Sequence, residues 1–194
     1  SAYFREVLPE YDEERVYAFQ LWATFLVSQK KFQAAHVYYN NAYAIAKHQK
    51  KDEMHAELLL DMGVNFIALK NYKRSLETFR LAEKIALKHL KTPGWSAMIS
   101  TGYGHISSLF LAMGKPEEAL DYARRSFALV KNEPFRYEQQ IQALKNQVLA
   151  QKALGSYQEA LQSYEQLQKI TNIFNSNKTR EIAKDLEAKY QLEK

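Results

Sequence analysis

Ala153-Leu154-Gly155-Ser156-Tyr157-Gln158-Glu159-Ala160-Leu161-Gln162-Ser163-Tyr164 decides the fold. It reads as a helix end, a tight turn and a helix start. Gly155 suits the left-handed backbone that closes a helix without a Cβ clash. Ser156 is placed to cap the next helix through its hydroxyl. Tyr157, Ala160, Leu161 and Tyr164 then recur at helical spacing on one face. Ala160 is small where two helices would cross, so their backbones can approach closely.

The phrase occurs three more times. Lys31-Phe32-Gln33-Ala34-Ala35 leads to Tyr39 and Ala42, and Asn71-Tyr72-Lys73-Arg74-Ser75-Leu76 leads to Phe79 and Ala82. Gly114-Lys115-Pro116-Glu117-Glu118-Ala119-Leu120 leads to Ala123. The aromatic or Pro positions step by 40, 44 and 41 residues, and a helical hairpin at a fixed period marks a solenoid. The pattern resembles the tetratricopeptide repeat (TPR), with its Gly-x-Tyr-x-x-Ala-Leu turn, then an aromatic, then an Ala. Ser75 takes the small position in the second copy and Pro116 the aromatic position in the third. Trp22 stands at the family's first-helix Trp/Leu position and Gly63 at its first-helix Gly. The copies exceed the family period of about 34 residues, and longer helices absorb the excess. Armadillo-like pairs share the period but lack this turn. The resemblance implies an all-α, right-handed α-solenoid of about four TPR-like hairpins.

The hairpins are expected over 13–51, 52–92, 95–132 and 135–173, with a separate C-terminal capping or connector helix over 178–193 after a break at Asn175-Ser176-Asn177. The expected helices are 13–29, 32–50, 52–69, 72–91, 96–113, 116–131, 135–154 and 157–172. Residues 3–8, before Pro9, read as the tail of an earlier helix. With Ser1-Ala2 looking like a cloning remnant, the chain is expected to be a fragment of a longer protein.

Composition agrees with helix. Gly (6) and Pro (4) are scarce among 194 residues. The absence of Cys excludes disulfide scaffolds and Cys-based zinc or thiol chemistry. No apolar run approaches the ~20 residues that cross a bilayer. The histidines, His36, His48, His55, His89 and His105, never lie three or four residues apart, so no two-His helical metal site is expected. They read as surface or helix-end residues. Gly102-Tyr103-Gly104-His105 lacks the strand that opens a phosphate loop, and reads as small residues at a close helix crossing. No Ser/His/Asp or Cys/His arrangement is legible, so neither catalysis nor a cofactor is expected. A net charge of +5 and a pI near 9.2 invite a nucleic-acid reading. The basic clusters (Lys47, Lys50, Lys51; Lys70, Lys73, Arg74; Lys84, Lys88, Lys91) instead fit solvated helix ends and turns. The repeat aromatics Phe32, Tyr39, Tyr72, Phe79, Tyr157 and Tyr164 read as core rather than base-stacking platforms.

The repeat resemblance implies a concave groove lined by the first helix of each hairpin. Carried over, its positions are Tyr17, Gln20 and Thr24; Glu57, Leu60 and Val64, with Asp61 beside them; Thr101, Gly104 and Ser108; and Gln142, Lys145 and Lys152. This groove would hold a protein or peptide and run from acidic (Glu57, Asp61) to basic (Lys145, Lys152). The Lys/Asn/Arg set with which some family members hold a C-terminal carboxylate is not reproduced.

A second resemblance covers the end of the chain. Ile173-Phe174-Asn175, Thr179-Arg180-Glu181-Ile182-Ala183 and Leu186-Glu187-Ala188-Lys189-Tyr190-Gln191-Leu192-Glu193-Lys194 resemble the close of TPR ectodomains in Bacteroidota-type membrane-anchored regulators. There a transmembrane helix follows, then a histidine kinase or DNA-binding output. This implies a sensing or scaffolding ectodomain in the periplasm, with Ile182, Leu186 and Tyr190 as the stripe of a docked relay helix. A soluble cytoplasmic adaptor or peptide-responsive regulator, and a positioning subunit of an enzyme complex, are the alternatives. Pairing with a second copy stays open.

Overall fold

The computed structural model describes residues 12–47, 51–92, 94–133 and 135–192; for 182, 183, 185, 186 and 188–192 it describes the backbone alone. The expected helix tail over residues 3–8 lies outside these, as does His48.

The described residues form eight helices and no strand. They are α1 (Asp12–Ser28), α2 (Phe32–Ala46), α3 (Asp52–Ala68), α4 (Tyr72–Leu87), α5 (Trp95–Ala112), α6 (Pro116–Val130), α7 (Tyr137–Ala153) and α8 (Tyr157–Leu192). Consecutive helices pair as antiparallel hairpins, and the hairpins stack into an α-solenoid.

One backbone device makes all four hairpins. Lys30, Lys70, Gly114 and Gly155 each have φ between 56° and 75°. Around each, two backbone bonds close the odd-numbered helix. At the second turn Lys70 N–H donates to the Ile67 carbonyl at 2.9 Å and Asn71 N–H to that of Phe66 at 2.9 Å. The pairs Lys30→Val27 and Lys31→Leu26, Gly114→Leu111 and Lys115→Phe110, and Gly155→Lys152 and Ser156→Gln151 repeat it. This is the Schellman closure, which satisfies the orphan carbonyls of a helix end. Only at the second turn does a side chain add a cap, where the Asn71 carboxamide accepts from Arg74 N–H at 3.3 Å. The Ser156 hydroxyl is not used; its carbonyl accepts from Ala160 N–H.

Within each hairpin the small positions are buried as expected. Ala35 and Ala119 are fully covered and Ala160 nearly so. Ser75 is fully buried too, because its hydroxyl donates to the Gly63 carbonyl at 2.9 Å. Gly63 is needed here. A Cβ on it would lie 2.2 Å from Cε1 of the buried Phe79. A Cβ on Gly102 or Gly104 would meet only ordinary contact, at 3.4 Å from Leu60 and 3.8 Å from Gln142.

The odd helices touch one another from hairpin to hairpin (α1 with α3, α3 with α5, α5 with α7), whereas the even helices do not. The odd helices therefore form the inner, concave wall.

The C-terminal end departs from expectation. No break occurs at Asn175-Ser176-Asn177, and α8 runs unbroken for 36 residues. At about 1.5 Å per residue it is twice as long as α7, the one helix it contacts among the described residues. The pairing reaches Phe174, whose ring meets that of Tyr137 at 6.2 Å. Asn and Ser weaken a helix by only a few tenths of a kcal/mol each, and without Gly or Pro they do not stop it. Residues 178–192 of the helix expected to stand apart are thus the second half of α8. The side chains of Ile182, Leu186 and Tyr190 lie outside the described residues.

Candidate functional site

Three connected cavities follow the concave wall. The first, of about 460 Å³, is lined by Glu13, Tyr17, Lys51, Glu53, Glu57 and Trp95 among others. The second, of about 530 Å³, shares Glu53, Glu57 and Trp95 with it and adds Gln20, Asp61, Thr101 and His105. The third, of about 200 Å³, shares Thr101, His105 and Gln139 with the second and ends at Glu138 and Gln142. Together they make one groove crossing α1, α3, α5 and α7.

Its floor is acidic. Glu53, Glu57 and Asp61 are spaced four apart on α3, so they stack along one face. None of the three is in an ion pair among the described residues. Burial raises the carboxyl pKa of Glu57, helped by the charges of Glu53 and Asp61. Burial likewise raises Asp61, although Gln20 Nε2 donates to its Oδ2 at 2.8 Å and opposes the shift. The buried Gln20 Oε1 has no protein partner. Tyr17 is raised by burial and then by Glu57, Glu13 and Glu53. The groove's cations are already engaged: Lys51 with Glu13, and Arg136 with Glu133 at 3.6 Å.

Two aromatic supports flank the carboxylates. Trp95, at the start of α5, is 8 % exposed and stacks on His89 at 4.4 Å. His89 Nε2 contacts Asp52 Oδ2 at 2.8 Å, and that contact leads the lowering of the Asp52 pKa. His105 stacks on Phe79 at 5.7 Å, and burial holds its pKa at about 4, so the ring is neutral at pH 7. His36 and His55 meet Phe66 and Tyr43 at 5.0 and 5.2 Å. These three are ring partners inside the stack rather than the surface histidines expected. Among the described residues no group of three or more His, Asp or Glu is placed to hold a metal.

The groove brings together Tyr17, Gln20, Glu57, Leu60, Asp61, Thr101, Gly104 and Gln142 from the sequence-derived set. Thr24 turns its hydroxyl to the Gln20 carbonyl. Ser108 donates to the Gly104 carbonyl and contacts Asn146, whose Nδ2 donates to the Gly104 carbonyl at 2.8 Å; both brace α7 on α5. Lys145 and Lys152 are exposed and are not among the residues lining the three cavities. Repeat register puts Leu149, not Lys152, opposite Thr24, Val64 and Ser108. Arg136, already paired with Glu133, lines the second cavity beside the carboxylates, and the far cavity ends on Glu138 and Gln142 rather than on a cation. Glu53, Trp95, Arg136 and His105 escaped the sequence reading. The four-residue spacing from Glu53 to Asp61 was the available signal for the first. Trp95 and Arg136 sit at connections, where the repeat register gives no guide.

Among the described residues no helix is long and apolar enough to cross a membrane. No family model matches the chain, and no curated protein does. Solved structures do. BtubC (BKLC) from P. vanneervenii is similar at 17% identity and a TM-score of 0.70, over 82% of this chain and 64% of that one. Aspartyl phosphate phosphatase F from Bacillus subtilis is similar at 15% identity and a TM-score of 0.74, over 88% of this chain and 44% of that one. A kinesin light chain protein of nearly identical TPR-like repeats, from Podosopora anserina, overlaps at 14% identity with a TM-score of 0.45, too loose to argue from. The chain therefore spans less than two thirds of the first two structures it matches. At these identities the likeness is one of fold: an all-helical stack of hairpins.

Proposed function

We propose that this chain is a non-catalytic module that binds an extended polypeptide carrying basic side chains in its concave groove. We further propose that it serves as the periplasmic sensing or scaffolding ectodomain of a membrane-anchored regulator. The unpaired row Glu53, Glu57, Asp61 carries the first reading. Asp61 is partly buried and Glu53 and Glu57 are exposed beside it, so like charges line one helix face without counter-charges, and a Lys or Arg from a ligand relieves that repulsion through charge-assisted bonds. Tyr17, 44 % exposed, offers aromatic surface beside the carboxylates. The repeat fold supports a protein ligand, and the likeness of the chain's last twenty or so residues to sensor ectodomains supports the second reading.

Fluorescence anisotropy with two labelled ten-residue peptides tests the ligand class. One alternates Lys with Ala and Tyr; the other replaces each Lys by Glu. The basic peptide is expected to bind at least tenfold more tightly at physiological salt. Equal binding, or preference for the acidic peptide, would overturn the reading. The gene sequence flanking this segment tests the second part, through an apolar span of about 20 residues just beyond position 194.

A further inference from the structure

The acidic row lines the first two cavities of the groove and has no part in the third. That third cavity, of about 200 Å³, lies among residues of α5, α6 and α7 and shares Thr101, His105 and Gln139 with the second. It is open because one side chain is missing. The counterpart of Gly104 in the second hairpin, one 44-residue step earlier, is Leu60, which is 6 % exposed. On α5 that place holds only a hydrogen, and Ser100 and Ser126, which line the same cavity, are small. A Cβ on Gly104 would come no closer than 3.8 Å to Gln142 and Ser126. The helices therefore do not need glycine for their approach, and the space beside Gly104 is left over.

Most polar groups of this wall are satisfied from within. The Ser100 and Ser126 hydroxyls donate to each other's backbone carbonyls at 3.0 and 2.8 Å. Thr101 Oγ1 donates to the Ala97 carbonyl at 3.0 Å, and Gln142 Nε2 to Asn146 Oδ1 at 3.1 Å. Glu138, the one charged group of the lining, is exposed, so the interior offers a cation nothing to pair with. His105 differs from its neighbours. Its ring stacks on Phe79 at 5.7 Å. Phe79 is wholly buried, as its place in the repeat predicts, whereas Tyr157 and Tyr164 of the fourth hairpin are exposed instead of core. Among the described residues no hydrogen bond or ion pair reaches the His105 ring nitrogens, and neither is sealed from the cavities that the ring lines. A neutral imidazole carries one N–H donor and one bare acceptor, and a hydroxyl both donates and accepts. A hydroxyl therefore suits whichever nitrogen it meets.

We infer that this cavity is a side-chain pocket for a tyrosine of the bound polypeptide, its ring in the gap left by Gly104 and its hydroxyl on the His105 imidazole. The inference rests on the reading of the groove as a polypeptide site and names a second recognised residue, a tyrosine one cavity beyond the basic side chain. The size agrees. About 200 Å³ is the liquid volume of roughly seven waters at ~30 Å³ each, room for one aromatic side chain. Such a side chain brings a large apolar area with a polar tip that needs a partner when buried.

Fluorescence anisotropy on the full 194-residue chain tests this with four labelled ten-residue peptides. The first is the Lys, Ala and Tyr peptide. The others replace its tyrosines by Phe, its tyrosines by Ala, or its lysines by Glu. The Tyr peptide should bind about tenfold more tightly than the Ala peptide, with the Phe peptide between them. Gly104→Leu installs the residue that the second hairpin uses and fills the cavity, so the Tyr-over-Ala ratio should fall from about ten to about one. His105→Phe keeps the ring stack but removes both nitrogens, and should make the Tyr and Phe peptides bind alike. Far-UV circular dichroism checks the fold of both variants, and either one that folds carries the test. Equal binding of the Tyr and Ala peptides by the wild-type chain would overturn the pocket and leave the charge reading in place. So would a folded Gly104→Leu chain that keeps the full preference for Tyr. A Glu peptide that binds as tightly as the first, with the Tyr preference intact, would overturn the charge reading and leave the pocket. Absence of binding by all four would overturn both.

Discussion

Single positions in this molecule do work that their residue type alone does not announce. Lys70 holds φ 56° in the turn where Gly114 and Gly155 hold 69° and 75°. A left-handed conformation costs a residue with a Cβ about 1 kcal/mol, so Lys70→Gly should raise stability by about 0.5–1 kcal/mol, read as a higher denaturant midpoint at constant slope. Gly63 is the opposite case. Ala is the better helix former by about 1 kcal/mol, but its methyl would strike Phe79, which is pinned between Gly63 and His105. Gly63→Ala should therefore lose about 1–2 kcal/mol net, and adding Phe79→Leu should restore most of it. His105 makes stability depend on pH. Its folded pKa, about 4, lies below the ordinary 6.5 of the unfolded chain. Between those values the unfolded state binds more protons, so stability falls as pH drops from 6.5 toward 4, by up to about 3 kcal/mol. His36 and His55, also lowered by burial, act in the same direction. Glu57 and Asp61, raised by burial, act against it near pH 4. Denaturant melts at pH 7, 6 and 5 should show the decline, and His105→Gln should flatten it.

At the scale of the helix and its turn, much was legible in the sequence and the exceptions have physical causes. The four turns were readable because the period fixed them, even where Lys replaces Gly. The buried small positions were readable because only small residues let the helices cross. The end of α8 was misread because Asn175-Ser176-Asn177 resembles a loop, yet those residues weaken a helix too little to end it. The groove was half readable. Glu57 and Asp61 follow from register, but Lys152 was drawn in where Leu149 belongs, and Trp95 arrives from the 44-residue step, where the period slips. The unbroken α8 replaces a helix folded back on hairpin 4 with one that outruns its partner. Backbone amides over 157–174 should therefore exchange slowly, and those over 175–181, where the side chains are exposed, should exchange orders of magnitude faster. Slow exchange across 175–181 would mean that this stretch of α8 has a partner in solution.

At the scale of the whole molecule, the chain is positive by five charges while its groove is lined by unpaired carboxylates. Which of these a charged ligand responds to is decided by distance. At physiological ionic strength charges are screened beyond about 8 Å, so a peptide lying in the groove responds to Glu53, Glu57 and Asp61 far more than to lysines on the outer helix ends. The same screening makes binding to duplex DNA weak and steeply salt-dependent, since only scattered surface cations would meet phosphates. Two double charge reversals separate the local field from the net charge. Glu53→Lys with Glu57→Lys and Glu118→Lys with Glu159→Lys change the total by the same amount, but the second pair lies on α6 and α8, away from the cavity linings. The groove reversal should weaken the basic peptide at least tenfold at physiological salt, about 1.4 kcal/mol or more, with the outer reversal staying within about twofold. As salt is lowered the Debye length grows, and the outer reversal should begin to weaken binding too. If the two reversals were equal at physiological salt, the peptide would be sensing the molecule's total charge, and the acidic row on α3 would not be its binding site.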